Sequence, residues 1–136
     1  MKQITKIWFD DKWMYGMGDD GQIYKQSVLW YRRLSDATPE QRMHYELGIY
    51  GIHWEYIDED ISYESFLARN SVEPTKLQTF FLTHRELNLA EFARRAGING
   101  TLLRQYVYGW KMPSVEREKE IMTYVNNYGK ELYKIG

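Results

Sequence analysis

The stretch LAEFARRAGINGTLLRQYVY, residues 89–108, decides the fold of the second half of the chain. Its apolar residues recur at helical spacing on both sides of Gly97. Ala93 is small, as the close crossing of two helices requires, and Gly97 follows four residues later, where a tight turn needs a left-handed backbone. Ile98 is placed to fill the core, and Asn99 to cap the next helix. The spacing predicts two short helices joined by a tight turn.

This ordered set of residues resembles the helix-turn-helix of the lambda-repressor/Cro-like family. The resemblance continues through Gly109-Trp110-Lys111-Met112-Pro113-Ser114, which is similar to the connection that ends the family's recognition helix and caps the following helix at Ser114. It covers about residues 77–128 and implies an all-α DNA-binding domain. The chain departs from the family pattern at four positions: Gly100, Tyr106, Trp110 and Met112.

In this family the outward face of the second helix enters the major groove of DNA. If Leu103 and Tyr106 face inward, helical geometry turns five residues outward: Gly100, Thr101, Arg104, Gln105 and Tyr108. Arg104 has the donor fork that fits guanine O6 and N7, Gln105 has the amide that reads adenine, and Thr101 offers a methyl and a hydroxyl to thymine or phosphate. The resemblance implies double-stranded DNA as the partner of this face.

Three basic residues flank the same surface. Arg94, Arg95 and Lys111 would neutralise phosphates, which adds affinity without adding sequence information. The alternative is that arginines and glutamines on an exposed helix only keep it soluble.

The net charge of the chain is −1, but the charge is unevenly distributed. Residues 1–74 hold eight Lys and Arg against thirteen Asp and Glu, whereas residues 75–136 hold ten against six. The first part therefore carries a net charge of −5 and the second a net charge of +4. A change of sign between segments is one indication of a nucleic-acid or other charged partner for one of them, and the alternative is chance in a short chain.

The first part reads as a small α+β module. The runs 4–9, 12–17 and 22–25 are rich in β-branched and aromatic residues, and Asp20-Gly21 lies between the last two. Because Asp-Gly favours the positive φ angles of a type I′ turn, we predict an antiparallel hairpin or three-stranded meander with such a turn.

Two helix starts follow in the first part. Thr38-Pro39-Glu40-Gln41 has the capping-box pattern, which predicts a short helix to about Tyr45. One or two strands are expected over 47–57. Ser62 can cap a helix through Arg69, and the acidic run 58–60 just before it would suit the helix dipole.

The stretches Leu29–Arg42 and Gly51–Ser62 resemble a widespread bacterial domain of unknown function. Its members share the patterns W-[YF]-x-R-L-x-x-A-T-P-E-Q-R and G-I-x-W-x-x-x-D-E-D-I-S. The resemblance covers about residues 4–68, with a departure at Glu55-Tyr56, where a proline is expected. It implies a context and no activity: small prokaryotic proteins, some with a C-terminal DNA-binding domain and some in toxin–antitoxin-like gene pairs.

The predicted organisation is an α+β domain over 1–70, a linker over 71–76 and an all-α helix-turn-helix domain over 77–136. The segment 115–136 places apolar residues at steps of four and three, a heptad-like seam. Packing against its own domain is one use of this seam. The other is pairing of its distal part with a second copy, and a homodimer would read two half-sites about 34 Å apart.

Other classes of function find little support in the sequence. Cysteine is absent, and the three histidines lie in separate segments without metal-ligand spacing. There is no phosphate-binding loop or nucleophile elbow, so we expect no enzyme and no cofactor. Acidic residues occur near the N-terminus before any long apolar run, so we expect no signal peptide and no membrane span. We expect a cytoplasmic location.

The leading hypothesis is a sequence-specific DNA-binding protein, a prokaryotic transcriptional regulator or antitoxin-like repressor whose N-terminal domain binds a protein partner or another copy. A second hypothesis is a protein-interaction module in which the helix-turn-helix is only a scaffold. A remote third is a small enzyme with a site in the N-terminal domain. The aromatic residues Trp8, Trp13, Trp30, Tyr31 and Trp54 are either core or the lining of such a site.

Overall fold

The computed structural model describes residues 1–135, and Gly136, the last residue of the predicted second domain, lies outside them. The described chain forms two compact units, and the division falls between Pro74 and Thr75.

The first unit begins with a three-stranded antiparallel sheet in the order β1-β2-β3. Its strands are β1 (Ile4–Phe9), β2 (Trp13–Gly18) and β3 (Ile23–Ser27). Residues alternate between a half-buried and a buried face along β2, as expected for a sheet that covers a core on one side. The predicted meander is confirmed.

The turn between β2 and β3 differs from the type I′ turn predicted at Asp20-Gly21. Only Gly21 has a positive φ, of 80°, and Asp20 does not. Gly18 N–H donates to Gln22 O over 2.8 Å, so three residues form the loop, and Gly21 N–H donates back to Gly18 O. This is a three-residue loop that ends on a left-handed glycine. The prediction was wrong because the loop contains Asp19 as well.

Short helices connect this sheet to a second one. After a 3₁₀ turn at Val28–Trp30 come α1 (Arg32–Asp36) and α2 (Pro39–Met43). The predicted capping box is confirmed, with Thr38 and Gln41 each bonding the other's backbone N–H. The helix ends two residues before the predicted Tyr45.

The second sheet is also antiparallel, in the order β4-β5-β6. It contains β4 (Glu46–Leu47), β5 (Gly51–Trp54) and β6 (Glu59–Ser62), and α3 (Glu64–Ala68) follows. Ser62 accepts a hydrogen bond from the N–H of Ser65 over 3.3 Å, at the start of α3. Glu59 and Asp60 lie in a strand, not in the approach to a helix, so the dipole explanation of the acidic run was wrong.

One hydrophobic cluster holds the first unit together. Its fully buried members come from both sheets and the helices: Ile4, Ile7, Met14, Leu34, Ile52, Trp54, Ile61 and Phe66. A Cβ at Gly16 of β2 would lie 2.9 Å from the Phe66 ring, so the glycine lets α3 pack closely on the first sheet. The indole N–H of Trp54 donates to Arg42 O over 3.0 Å.

The segment after α3 belongs to this unit. Asn70 Oδ1 accepts from Lys25 N–H, and Ser71 N–H donates to Lys25 O over 2.8 Å. Residue 71, predicted to begin a linker, is thus tied to β3. The linker prediction overlooked that an Asn-Ser pair can extend the hydrogen bonding of a sheet edge.

The second unit is all-helical, with α4 (Lys76–Thr83), α5 (Leu89–Ala96), α6 (Gly100–Val107) and α7 (Val115–Ile135). Gln78, buried in α4, closes a capping box with Thr75 and donates from Nε2 to Tyr106 O over 3.0 Å. Because this second bond reaches the end of α6, it fixes α6 against α4.

The long helix α7 divides into two parts. Ser114 caps its start by accepting from Arg117 N–H over 3.1 Å, as predicted. Ile121 and Val125 are buried, whereas Leu132, Tyr133 and Ile135 near the other end are exposed. The proximal half of the predicted seam therefore packs within the protein, and the distal half faces outward.

Candidate nucleic-acid interface

The connection between α5 and α6 is a tight turn built on Gly97, whose φ is 72°. Ile98 N–H donates to Ala93 O over 2.8 Å, and Gly97 N–H donates to Arg94 O over 3.3 Å. These two bonds form a Schellman motif, which ends a helix and satisfies its last carbonyls. Asn99 then accepts from Leu102 N–H over 3.0 Å and caps α6. The predicted left-handed Gly97 and the predicted cap at Asn99 are confirmed.

Packing determines which face of α6 is exposed. Ala93 and Leu103 are completely buried, and Tyr106 nearly so. On the other side of α6, Thr101 and Arg104 are exposed and Gln105 is half-buried. Gly100 is half-buried next to Ala90, at a distance where an added Cβ would make an ordinary contact. The structure thus places the predicted base-reading side chains on one accessible side of α6.

An aromatic stack holds Arg104 at the end of this face. Its guanidinium carbon lies 5.2 Å from the centroid of the Tyr108 ring. Trp110 stacks on the same tyrosine with centroids 5.5 Å apart and an angle of 26°. Arg85, before α5, donates to the Tyr108 hydroxyl over 3.3 Å. Sequence reasoning missed Arg85 and treated Trp110 only as a departure, because the stack forms across the left-handed Gly109.

The backbone beyond α6 is closed by the carbonyl of Gln105, which accepts from Trp110 N–H over 2.9 Å and from Lys111 N–H over 3.3 Å. The side chain of Lys111 is exposed. Its position is therefore fixed at the backbone, and its side chain is accessible.

The two arginines of α5 share one carboxylate. Glu91 accepts two hydrogen bonds from Arg94 and one from Arg95, the last over 3.4 Å. The Arg94 guanidinium, more than that of Arg95, lowers the pKa of Glu91 to about 2. The three side chains together carry a single positive charge, so the charge they offer to phosphates is smaller than the sequence suggested.

In the first unit, a charged cluster lies on the second sheet. His53 on β5 contacts Asp60 on β6 through Nδ1 at 2.7 Å and Glu55 through Nε2 at 2.8 Å. Hydrogen bonds to Glu55 and Asp60 raise the pKa of His53 above 6.5. Sequence reasoning missed this cluster because the contact depends on the His53–Asp60 pairing of two strands. Among residues 1–135, no group of three or more potential ligands is arranged to hold a metal ion.

Residues 4–71 match a family model described as "Protein of unknown function (DUF2442)". The chain belongs to this family. No curated protein matches the chain. No solved structure matches it either. The DUF2442 match ends before α4, so the assignments made for α4–α7 depend on geometry alone.

Within the DUF2442 region, all four tryptophans have structural roles. Trp30 and Trp54 are buried in the core. Trp8 stacks on Tyr15 of the neighbouring strand, with centroids 5.7 Å apart, and the ammonium of Lys25 lies 4.5 Å from the Trp13 ring. Cross-strand pairs of this kind stabilise the exposed face of a sheet. Across residues 1–135, no helix has the length and apolar character needed to cross a membrane.

Proposed function

We propose that this protein binds double-stranded DNA in a sequence-specific way, as a prokaryotic transcriptional regulator or the antitoxin-like repressor of a gene pair. The observation that supports the proposal most directly is the turn at Gly97, which leaves Thr101 and Arg104 exposed while Leu103 is buried. In this proposal α5 and α6 form a helix-turn-helix of the lambda-repressor/Cro type.

In the bound state, α6 lies in the major groove. Arg104 donates a pair of hydrogen bonds to guanine O6 and N7, and Gln105 pairs with an adenine. Thr101, in the first turn of α6, contacts a thymine methyl or a phosphate. Gly100 adds no side chain, so the helix start can approach the DNA closely, and Tyr108 supports Arg104 through the aromatic stack.

Phosphate contacts come from the edges of this face. Lys111 contributes an exposed ammonium group, and Arg94 and Arg95 contribute one net charge together with Glu91. For each phosphate that the protein neutralises, the slope of the logarithm of the binding constant K against the logarithm of the salt concentration becomes more negative by roughly 0.9. Few strong phosphate contacts imply that base reading accounts for much of the affinity.

A homodimer is part of the proposal because a single α6 reads too few bases to select an operator. The exposed apolar end of α7, with Leu132 and Ile135, is the surface on which a second copy would pair. The two recognition helices would then meet half-sites about 34 Å apart, on one side of the duplex.

Selection from a random duplex library tests the proposal. The full-length protein is expected to enrich an inverted repeat whose half-sites are about ten base pairs apart, centre to centre. The Arg104→Ala variant should lose the guanine preference. Arg117→Ala is the matched control, since Arg117 lies on α7, outside the proposed reading face of α6, and bonds Glu120. Recovery of unrelated sequences by the wild-type protein would contradict the proposal.

A second candidate function is a protein-interaction module, and a specific observation favours it. Trp110 is 63% exposed and Met112 67%, and Val115 is exposed close by in the sequence. Large apolar side chains in this number are more typical of a protein interface than of a DNA backbone contact. A Trp110→Ser variant separates the two candidate functions. If the protein is an interaction module, the variant should lose partner binding in high salt. If the protein binds DNA through α6, the variant should only weaken DNA binding.

A further inference from the structure

The turn between β4 and β5 exposes two large apolar side chains without a structural need. Gly48 N–H donates to Gly51 O over 2.8 Å, which leaves Ile49 and Tyr50 as the loop residues. Ile49 is 72% exposed and Tyr50 86%. Neither residue has a positive φ, so polar residues would fit the same backbone.

This turn is held rigidly. The hydroxyl of Tyr63 donates to Gly48 O over 2.6 Å, and Tyr63 N–H donates to Tyr50 O over 3.0 Å. A Cβ at Gly51 would lie 2.4 Å from Ile61 O, so the loop sits tightly against β6. A rigid apolar turn loses little conformational entropy when a partner binds it, which is a property of binding hot spots.

A shallow cleft of about 540 Å³ lies beside the turn. Its apolar lining comes from Leu47, Tyr50 and Ile61, and its charged lining from Glu46, His53 and Asp60. No lysine or arginine is found among the described residues that line it. Since one imidazolium faces the carboxylates of Asp60 and Glu55, and Glu46 adds another negative charge, the cleft is acidic even with His53 protonated.

We propose that this cleft binds a segment of a partner protein in which a large apolar side chain stands next to a lysine or arginine. The apolar side chain packs against Leu47 and Tyr50, and the cation faces Glu46 and Asp60. Charge complementarity favours a basic partner over an acidic one, and the exposed apolar turn favours a peptide over a free ion. The proposal does not depend on DNA binding by α6.

The test uses the full-length protein and two synthetic heptapeptides, one alternating lysine with leucine and valine, the other with glutamate in place of each lysine. Amide NMR shifts are followed during titration. The lysine peptide is expected to shift Leu47, Tyr50 and Ile61, with affinity that falls as salt is added. The glutamate peptide should leave these signals unchanged.

Variants of the turn complete the test. The double substitution Ile49→Lys and Tyr50→Lys should weaken binding of the lysine peptide by about tenfold or more. Ile23→Lys is the matched control, because Ile23 is 58% exposed near the other hairpin and lies outside the cleft. Circular dichroism confirms that each variant is folded.

Three results would overturn the proposal. The first is equal binding of the two peptides, and the second is a shift pattern outside the cleft. The third is self-association of the wild-type protein, seen by sedimentation and abolished by the double substitution, because a second copy would then occupy the turn.

Discussion

The guanidinium of Arg104 lies over the ring of Tyr108, 5.2 Å from its centroid, at the exposed end of α6. A cation held on an aromatic face loses less side-chain freedom when it later bonds a base. The proposed reading group is therefore positioned before DNA arrives. Trp110 continues the stack on Tyr108 and limits the movement of that ring.

Replacement of Tyr108 by leucine should weaken specific DNA binding by roughly twofold to fivefold, because a cation–π contact at an exposed site contributes about 0.5–1 kcal/mol. Tyr108→Phe keeps the ring and loses only the hydroxyl contact with Arg85, so it should retain most of the affinity. Fluorescence anisotropy with a labelled operator duplex measures both. Equal losses in the two variants would show that the hydroxyl, not the ring, positions the site.

Glu91→Gln should increase the affinity for non-specific duplex DNA. The substitution removes the carboxylate that binds Arg94 and Arg95, and so leaves two positive charges where one net charge stood. The slope of log K against log salt should become steeper, because more phosphates are neutralised. Glu86→Gln, in the connection before α5, removes the same charge at a different position and serves as the control. Identical slopes for the two variants would place the arginines away from the DNA.

Gly97→Ala should destabilise the second unit by about 1 kcal/mol or more, because a φ of 72° is unfavourable for a residue with a Cβ. No atom lies within 4 Å of the added Cβ, so the cost is conformational and not steric. Gly129→Ala, in the middle of α7, also meets no atom but should stabilise by about 0.5–1 kcal/mol. Urea unfolding followed by far-UV circular dichroism measures the free energy of unfolding of both variants, which should change in opposite directions. A stable Gly97→Ala variant would be inconsistent with the turn.

Protonation of His53 should stabilise the second sheet. Its pKa is raised above 6.5 by Glu55 and Asp60, so the stabilising contribution is complete below pH 6.5 and disappears as the pH rises through the folded-state pKa. The difference in stability between wild type and His53→Gln should therefore shrink as the pH rises from 6.5 through the folded-state pKa of His53. An NMR titration of the imidazole gives the pKa directly, and Asp60→Asn should lower it. A wild-type midpoint at or below 6.5 would disprove the double contact.

Several local features of the backbone were predictable from the sequence of this chain. The capping box at Thr38, the left-handed Gly97 and the cap at Asn99 all depend on residues within a few positions of one another, so pattern alone predicts them. Charge and apolar spacing also predicted which face of α6 is exposed. Each of these features is encoded by residues that lie close together in the sequence.

Features that depend on distant pairing were not predictable. The contact between His53 and Asp60 requires the register of β5 against β6, and the hydrogen bond that Ser71 N–H donates to Lys25 O requires the chain to return to the edge of the first sheet. The stack on Tyr108 depends on how the backbone reverses at Gly109. In each case several arrangements satisfy the same hydrophobic pattern, and only tertiary packing selects one.

The most direct test of DNA reading by α6 compares two labelled duplexes, the selected operator and the same operator with the guanine assigned to Arg104 changed to adenine. We predict that the wild-type protein binds the first at least about fivefold more tightly, and that Arg104→Ala binds both equally and weakly, since one bidentate pair gives about 1–3 kcal/mol of discrimination. Wild-type protein that binds both duplexes alike, or an alanine variant that keeps the preference, would contradict the account.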